Sequence, residues 1–241
     1  MGRFEDARTD ARAWDAADGL AHFRARFACR PGTVYLDGNS LGLISAEAEA
    51  AVLAALEDWK QYGIDGWLSG ERPWFDIGEE LGARQARLVG ALPHEVVVTG
   101  STTTNLHALV ATFYGASPQR TKIVANTLDF PSDLYTLASQ IRLRGLDPAE
   151  QLVLVPSRDG RTILEADLID ALDERTALLV IPSVLYRSGQ LLDIARLTAA
   201  AHERGVLVGV DCSHSAGAVP HELHAWGVDW GVWCSYKYLN G

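Results

Sequence analysis

Short apolar runs alternate with amphipathic stretches through most of this chain. The runs are Val96–Thr99, Lys122–Ala125, Leu152–Val155, Ala177–Ile181, Val206–Val210 and Trp230–Trp233. They are continuous rather than alternating, which is the pattern of strands covered on both faces in a parallel sheet. Helical periodicity lies between most of them, over 104–114, 132–144, 165–174 and 193–204. Upstream, residues 4–27 predict a helix with Trp14, Ala17, Leu20, Phe23 and Phe27 as its apolar positions. Val34–Leu36 predicts a short strand running into the glycine-rich loop Asp37–Gly42. Ser45 is placed to cap a helix through Tyr62, with Val52, Leu53, Leu56 and Trp59 on one face and Gly63 as its stop. Residues 64–74 predict a loop and 76–91 a further helix. The fold class expected is α/β, a mostly parallel sheet with helices on both faces. No repeat or linker interrupts it, so the organisation expected is an N-terminal helix and arm over 1–45 and one large domain over 46–241.

Composition narrows the partners. The chain has 241 residues, 48% of them hydrophobic, enough for one large core or for a domain plus part of another. Its formal net charge of −10 repels phosphate backbones and anionic lipid, which argues against nucleic-acid and membrane partners. No apolar run approaches the roughly 20 residues of a membrane span, and the N-terminus has no apolar signal core. The three cysteines, Cys29, Cys212 and Cys234, form no C-x-x-C pair, so reduced thiols and a cytoplasmic location are expected. Of 21 basic residues only Lys60, Lys122 and Lys237 are lysines. An arginine guanidinium stays protonated and forms no imine, so a lysine at 237 within an aromatic run is placed there either for its amine or as an interfacial side chain reaching to solvent.

In open α/β sheets ligands bind beyond the carboxyl ends of the strands. After 96–99 comes Gly100-Ser-Thr-Thr-Thr-Asn105, opening a helix. Its hydroxyls and free N–H groups suit a phosphate, or alternatively a plain polar cap. After 122–125 comes Asp129-Phe-Pro-Ser-Asp133, in which Phe130 can stack on an aromatic ring and Ser132 and Asp133 can bind or cap the next helix. After 206–210 comes Asp211-Cys-Ser-His214. A carboxylate at the end of a buried strand is costly unless paired with a metal, an arginine or a protonated ring nitrogen. No third ligand accompanies Asp211 and His214, so no metal is assigned. After 230–233 comes Ser235-Tyr-Lys237. A phosphate cradle, a carboxylate and a lysine in that order match what pyridoxal phosphate requires of a protein.

The chain also resembles the kynureninases, pyridoxal-phosphate enzymes with the aspartate-aminotransferase-like fold. The resemblance is carried by Tyr35–Gly42, Gly70–Trp74, Thr103–His107, Phe130–Asp133, Asp211–His214, Trp226–Trp230 and Trp233–Asn240. It implies Lys237 as the Schiff-base lysine, Asp211 as partner of the pyridine nitrogen with His214 close by, and Tyr236 as a proton donor or acceptor. It implies Thr102, Thr103 and Tyr236 at the phosphate, Phe130 stacked on the cofactor ring, and Pro131, Ser132 and Asp133 beside it. Ser40 and Trp67 are implied near the substrate. Trp67 stands where animal members have His, which fits a preference for kynurenine over its 3-hydroxy form. Thr102 stands where many relatives have an apolar residue, so its backbone N–H is the expected contact.

The activity implied is hydrolysis of L-kynurenine to anthranilate and L-alanine, in tryptophan catabolism or supply of an NAD precursor, by a homodimer. Family members continue past the lysine into a C-terminal part that supplies further cofactor and substrate contacts. The expectation is therefore a large domain lacking its C-terminal small domain, a fragment with weak or absent turnover by itself. The rival readings are a non-enzymatic fragment, an aminotransferase, and a cysteine desulfurase-like lyase. The last needs a mobile catalytic cysteine and usually a His before the lysine, where this chain has Tyr236.

Overall fold

The computed structural model describes residues 2–115 and 117–241. Five strands form a wholly parallel sheet in the order β2-β1-β3-β4-β5: β1 Lys122–Asn126, β2 Leu152–Val155, β3 Thr176–Pro182, β4 Leu207–Asp211 and β5 Trp230–Val232. Side chains along the strands alternate between two clusters. Val124, Leu179, Ile181, Val208 and Val210 face one, with Leu168, Ile194, Leu197 and Ala201 from helices α7 (Glu165–Asp170) and α8 (Ile194–His202). Ile123, Ala125, Leu178, Val180 and Val232 face the other, with Leu106, Val110, Leu137 and Ile141 from α4 (Thr102–Phe113) and α5 (Pro131–Leu143). Both faces are thus covered, and continuous apolar runs follow from that. Strand order reverses direction between β1 and β3, which opens a crevice at their carboxyl ends.

Several expected elements change in the structure. The helix expected over 4–27 ends at Ala17 as α1 (Gly2–Ala17), followed by a 3-10 turn at Ala21–Arg26. The Asp18 carboxylate accepts the N–H of Leu20 at 2.8 Å, and this local bond competes with continuation of the helix. Val34–Leu36 forms no strand; Val34 and Leu36 are 81% and 86% exposed. Val96–Thr99 is extended but joins no strand. It runs instead along α3 (Ile77–Val89), where the Val98 N–H donates to the Gly78 carbonyl at 2.9 Å. Gly82 makes this approach possible: a Cβ there would stand less than 3.0 Å from the Val96 backbone. The loop expected over 64–74 begins with a 3-10 turn, Gly63–Trp67, and the helix expected to 174 stops at Asp170.

Helix α2 (Ala46–Tyr62) begins where expected: the Ser45 hydroxyl accepts the Ala48 N–H at 3.1 Å, and Gly63 ends it at a positive φ of 52°. Its apolar row is exposed, however, with Val52, Leu53, Leu56 and Trp59 at 46–66%. Among the described residues no helix is long and apolar enough to cross a membrane.

Candidate functional site

Register places the two central groups. Asp211 ends β4 opposite Val232 of β5, and the Cys212 N–H donates to the Val232 carbonyl at 2.7 Å. The chain then leaves β5 and turns, bringing Lys237 back to the same strand ends. Asp211 is 7% and Lys237 8% exposed. His214 feels both: burial lowers its pKa, the charge of Lys237 lowers it further, and Asp211 opposes. The Asp211 Oδ1 accepts the Ser213 N–H at 2.8 Å, which fixes the carboxylate.

Lys237 makes no ion pair or hydrogen bond among the described residues. Its Nζ lies 5.8 Å from the centre of the Phe130 ring and 5.5 Å from that of Tyr236. A buried polar amine with aromatic faces as its neighbours is held at a cost.

Phe130 precedes α5, and Pro131 occupies the helix's first turn, where its missing N–H costs nothing. Neither Ser132 nor Asp133 caps α5 with its side chain, correcting that alternative. Ser132 donates to the Asp133 Oδ1 at 3.2 Å, and Asp133 is buried within hydrogen-bonding reach of Asp211. Burial first, then the charge of Asp211, raises the Asp133 carboxyl. Asp129 behind it is pushed up to about 8 by burial, although the Asn126 backbone and side-chain amides both donate to it. Three acids, Asp129, Asp133 and Asp211, thus crowd one another on one side of the site.

The aromatic wall has a member that sequence reasoning missed. Tyr186 meets the Phe130 ring edge-on, with centroids 5.2 Å apart at 76°, and lies 6.0 Å from His214. Phe130 and His214 are 6.5 Å apart and tilted by 40°. Tyr186 follows the end of β3, so the strand-end rule applied to Ala177–Ile181 finds it. A cavity of about 210 Å³ adjoins this wall, lined by Asp129, Pro131, Tyr135, Tyr186 and Arg187 among others.

At the start of α4, Ser101 is the cap: its hydroxyl accepts the Thr104 N–H at 3.3 Å and meets the Thr104 hydroxyl at 3.0 Å. That leaves Thr102 and Thr103 over. Thr103 is exposed, whereas the Thr102 Oγ1 is buried without a hydrogen-bond partner. Its side chain therefore carries an unfilled hydrogen-bonding capacity at the head of α4. Leu106 and Val110 pack α4 against Val232, which ties this helix to the strand leading into Lys237.

Ser40 and Trp67 are not brought to Lys237 by any bond of their own. Ser40 is exposed in a turn closed by its N–H on the Asp37 carbonyl at 3.0 Å, two residues before Gly42, which does reach the lysine turn. Trp67 meets Trp74 edge-on at 6.3 Å, and no hydrogen bond or ring contact joins it to Phe130, Asp211 or Lys237 among the described residues.

Besides Thr102 Oγ1, the buried polar atoms left without partners include Ser213 Oγ and His214 Nε2, beside Asp211. Buried polar groups normally find partners. Orphans here, with an unpaired buried lysine and an aromatic wall of Phe130, Tyr186 and His214, fit a planar heteroaromatic group bearing a phosphate.

A family profile described as Aminotransferase class-V matches residues 34–241. The chain is 58% identical over 226 residues to a protein named kynureninase from Bacillus anthracis, covering 94% of this chain and 53% of that protein. It is 56% identical over 231 residues to a kynureninase from Geobacillus thermodenitrificans, covering 96% of this chain and 54% of that protein. The chain thus spans about half the length of the curated relatives it matches. Among solved structures, the cysteine desulfurase CsdA from Escherichia coli matches with a TM-score of 0.72 at 22% identity, covering 93% of this chain and 56% of that one. At that identity the likeness is one of fold.

Proposed function

The chain belongs to the class-V aminotransferase family, and we propose on that premise that it is the cofactor-bearing part of a pyridoxal-phosphate-dependent kynureninase, cleaving L-kynurenine to anthranilate and L-alanine. The observation that carries the reading is Lys237, buried and unpaired against Phe130, with the fixed carboxylate of Asp211 acting on the same His214. Pyridoxal phosphate, when bound, supplies a carbonyl that captures amines and a pyridine ring that withdraws electrons from the substrate's α-carbon.

In this reading Lys237 would hold the cofactor covalently and afterwards move a proton at the α-carbon with its freed amine. Asp211 would keep a proton on the ring nitrogen, and its Ser213 N–H contact orients it for that task. Phe130, with Tyr186 and His214 beside it, would wall the ring, Pro131 setting the approach of α5. Asp133, its proton retained by burial, would support Asp211. Thr102, Thr103 and the N–H groups of the first turn of α4 would take the phosphate. Burial raises the Tyr236 phenol, so it holds its proton at neutral pH and suits a donor. Ser40 and Trp67 belong to this proposal as substrate neighbours. The desulfurase alternative requires an accessible cysteine, and Cys212 and Cys234 are both buried.

The same proposal includes the arm over 1–45 and the cofactor-binding unit over 46–241, a homodimer, a cytoplasmic location and a role in tryptophan breakdown. The exposed apolar row on α2 supports the dimer, and the free cysteines support the location. Two measurements test the core claim. Added pyridoxal phosphate should give an absorbance band removed by borohydride, with the mass increment on Lys237. Anthranilate fluorescence should then appear on adding kynurenine to a form of the protein extended to its relatives' length. A chain that gains no band, or traps the mass elsewhere, refutes the reading.

A further inference from the structure

The turn that carries Lys237 is held from the far end of the sequence. The Gly42 N–H donates to the Tyr236 carbonyl at 2.7 Å. The Asn240 side-chain amide donates to the Leu43 carbonyl at 2.8 Å, and the Asn240 backbone N–H closes on the Lys237 carbonyl at 3.2 Å. Asn240 does this at a φ of 55°, the one non-glycine at positive φ among the described residues. Asparagine visits that region at less cost than other side chains because it is short and bonds locally. Gly42 leaves no room for a side chain: an added Cβ would stand less than 3.0 Å from the Lys237 carbonyl oxygen. On the other flank Leu239 packs on Gly217, in the turns that follow Asp211, where an added Cβ would stand 2.5 Å from the Leu239 Cδ2.

The lysine turn is therefore wedged between the arm and the loop that follows Asp211. A lysine amine rides on a flexible four-carbon stem, so its location depends on how firmly the backbone beneath it is fixed. We propose that Asn240 and Gly42 are positioning residues for Lys237, clasping its backbone so that the amine stays buried beside Phe130 and in register with Asp211. This rests on the reading of Lys237 given above. Neither residue touches the amine; both act through the backbone of the turn.

The 241-residue chain offers a direct assay because it has three lysines. A brief pulse of acetic anhydride, read by peptide mass, reports Lys237 against exposed Lys60 and against Lys122, which is ion-paired with Asp173. Asn240→Gly keeps the left-handed backbone and removes only the amide; Gly42→Ala adds the clashing Cβ. Relative to Lys60, labelling of Lys237 should rise about fivefold in Asn240→Gly, the equivalent of one net hydrogen bond, with Lys122 unchanged. The pyridoxal phosphate concentration for half-maximal borohydride trapping should rise by the same factor. Should Gly42→Ala fail to fold, Asn240→Gly decides alone. Unchanged labelling of Lys237, or a rise shared equally by Lys122, overturns the clasp. A parent chain that never traps pyridoxal phosphate, yet whose Lys237 labelling responds to Asn240→Gly as described, overturns the cofactor reading and leaves the clasp standing.

Discussion

Gly209 sits in the middle of β4 directly opposite Trp230 of β5. A Cβ at 209 would stand less than 3.0 Å from three carbons of the indole ring. The ring is 5% exposed and clustered with Leu106, Val110, Leu178 and Val180, so it has nowhere to go. Overpacking a filled core costs about 1–3 kcal/mol. Replacing glycine by alanine returns about 0.4–1 kcal/mol through the unfolded chain. The net expectation for Gly209→Ala is a loss of about 1–2 kcal/mol, or roughly 2–8 °C in Tm for a chain of this size. Gly231→Ala is the matched control. It carries the same unfolded-chain gain, but its Cβ would lie 3.5 Å from the Val210 carbonyl oxygen and 3.6 Å from the Leu223 Cδ1, ordinary contact distances. Urea unfolding followed by circular dichroism should show a lower midpoint for Gly209→Ala at unchanged m-value, and a midpoint for Gly231→Ala at or above the parent's. If the two variants unfold together, or Gly209→Ala is the more stable, the packing argument for this strand pair fails.

Three further outcomes follow from the site. In a form that turns over, Asp211→Asn should lower kcat about ten- to a thousandfold, the equivalent of 1–3 pKa units at the ring nitrogen, with much less effect on cofactor affinity; equal losses in both would remove its electronic role. Burial, then the charge of Lys237, holds the folded pKa of His214 below its unfolded value. The unfolded chain therefore binds the extra proton, and stability present above about pH 6.5 is lost as pH falls through that value towards the lowered one. His214→Gln should flatten the pH dependence of the urea midpoint in that window, and an unaltered slope would show that the group does not contribute. Burial and the charge of Asp211 raise the Cys212 thiol, and Cys234 is also buried. With a disulfide reagent, Cys29 should react first in the folded chain and all three cysteines in urea; a Cys212 as fast as Cys29 would reopen the mobile-cysteine chemistry of a desulfurase.

Local chemistry in the sequence determined a good deal by itself. Continuous apolar runs placed all five strands of the sheet, because both faces of that sheet are covered. Ser45 and Gly63 marked the ends of α2, because caps act within one turn. The strand-end rule led to Asp211, the last residue of β4, and to Lys237 in the turn that follows β5. Other outcomes depended on neighbours distant in sequence. Val96–Thr99 reads as a strand by its residues, yet Gly78 and Gly82 of α3 offer its backbone a closer surface than any strand does. The row on α2 has helical spacing and is exposed, because periodicity identifies a face without saying what covers it. Tyr186 joins Phe130 only because β1 and β3 are adjacent across the reversal in strand order. The clasp on Lys237 unites residues about two hundred positions apart. Strand propensity, caps and catalytic residue types are properties of a few consecutive residues, whereas burial, unpaired charge and close backbone approach are properties of the packed whole.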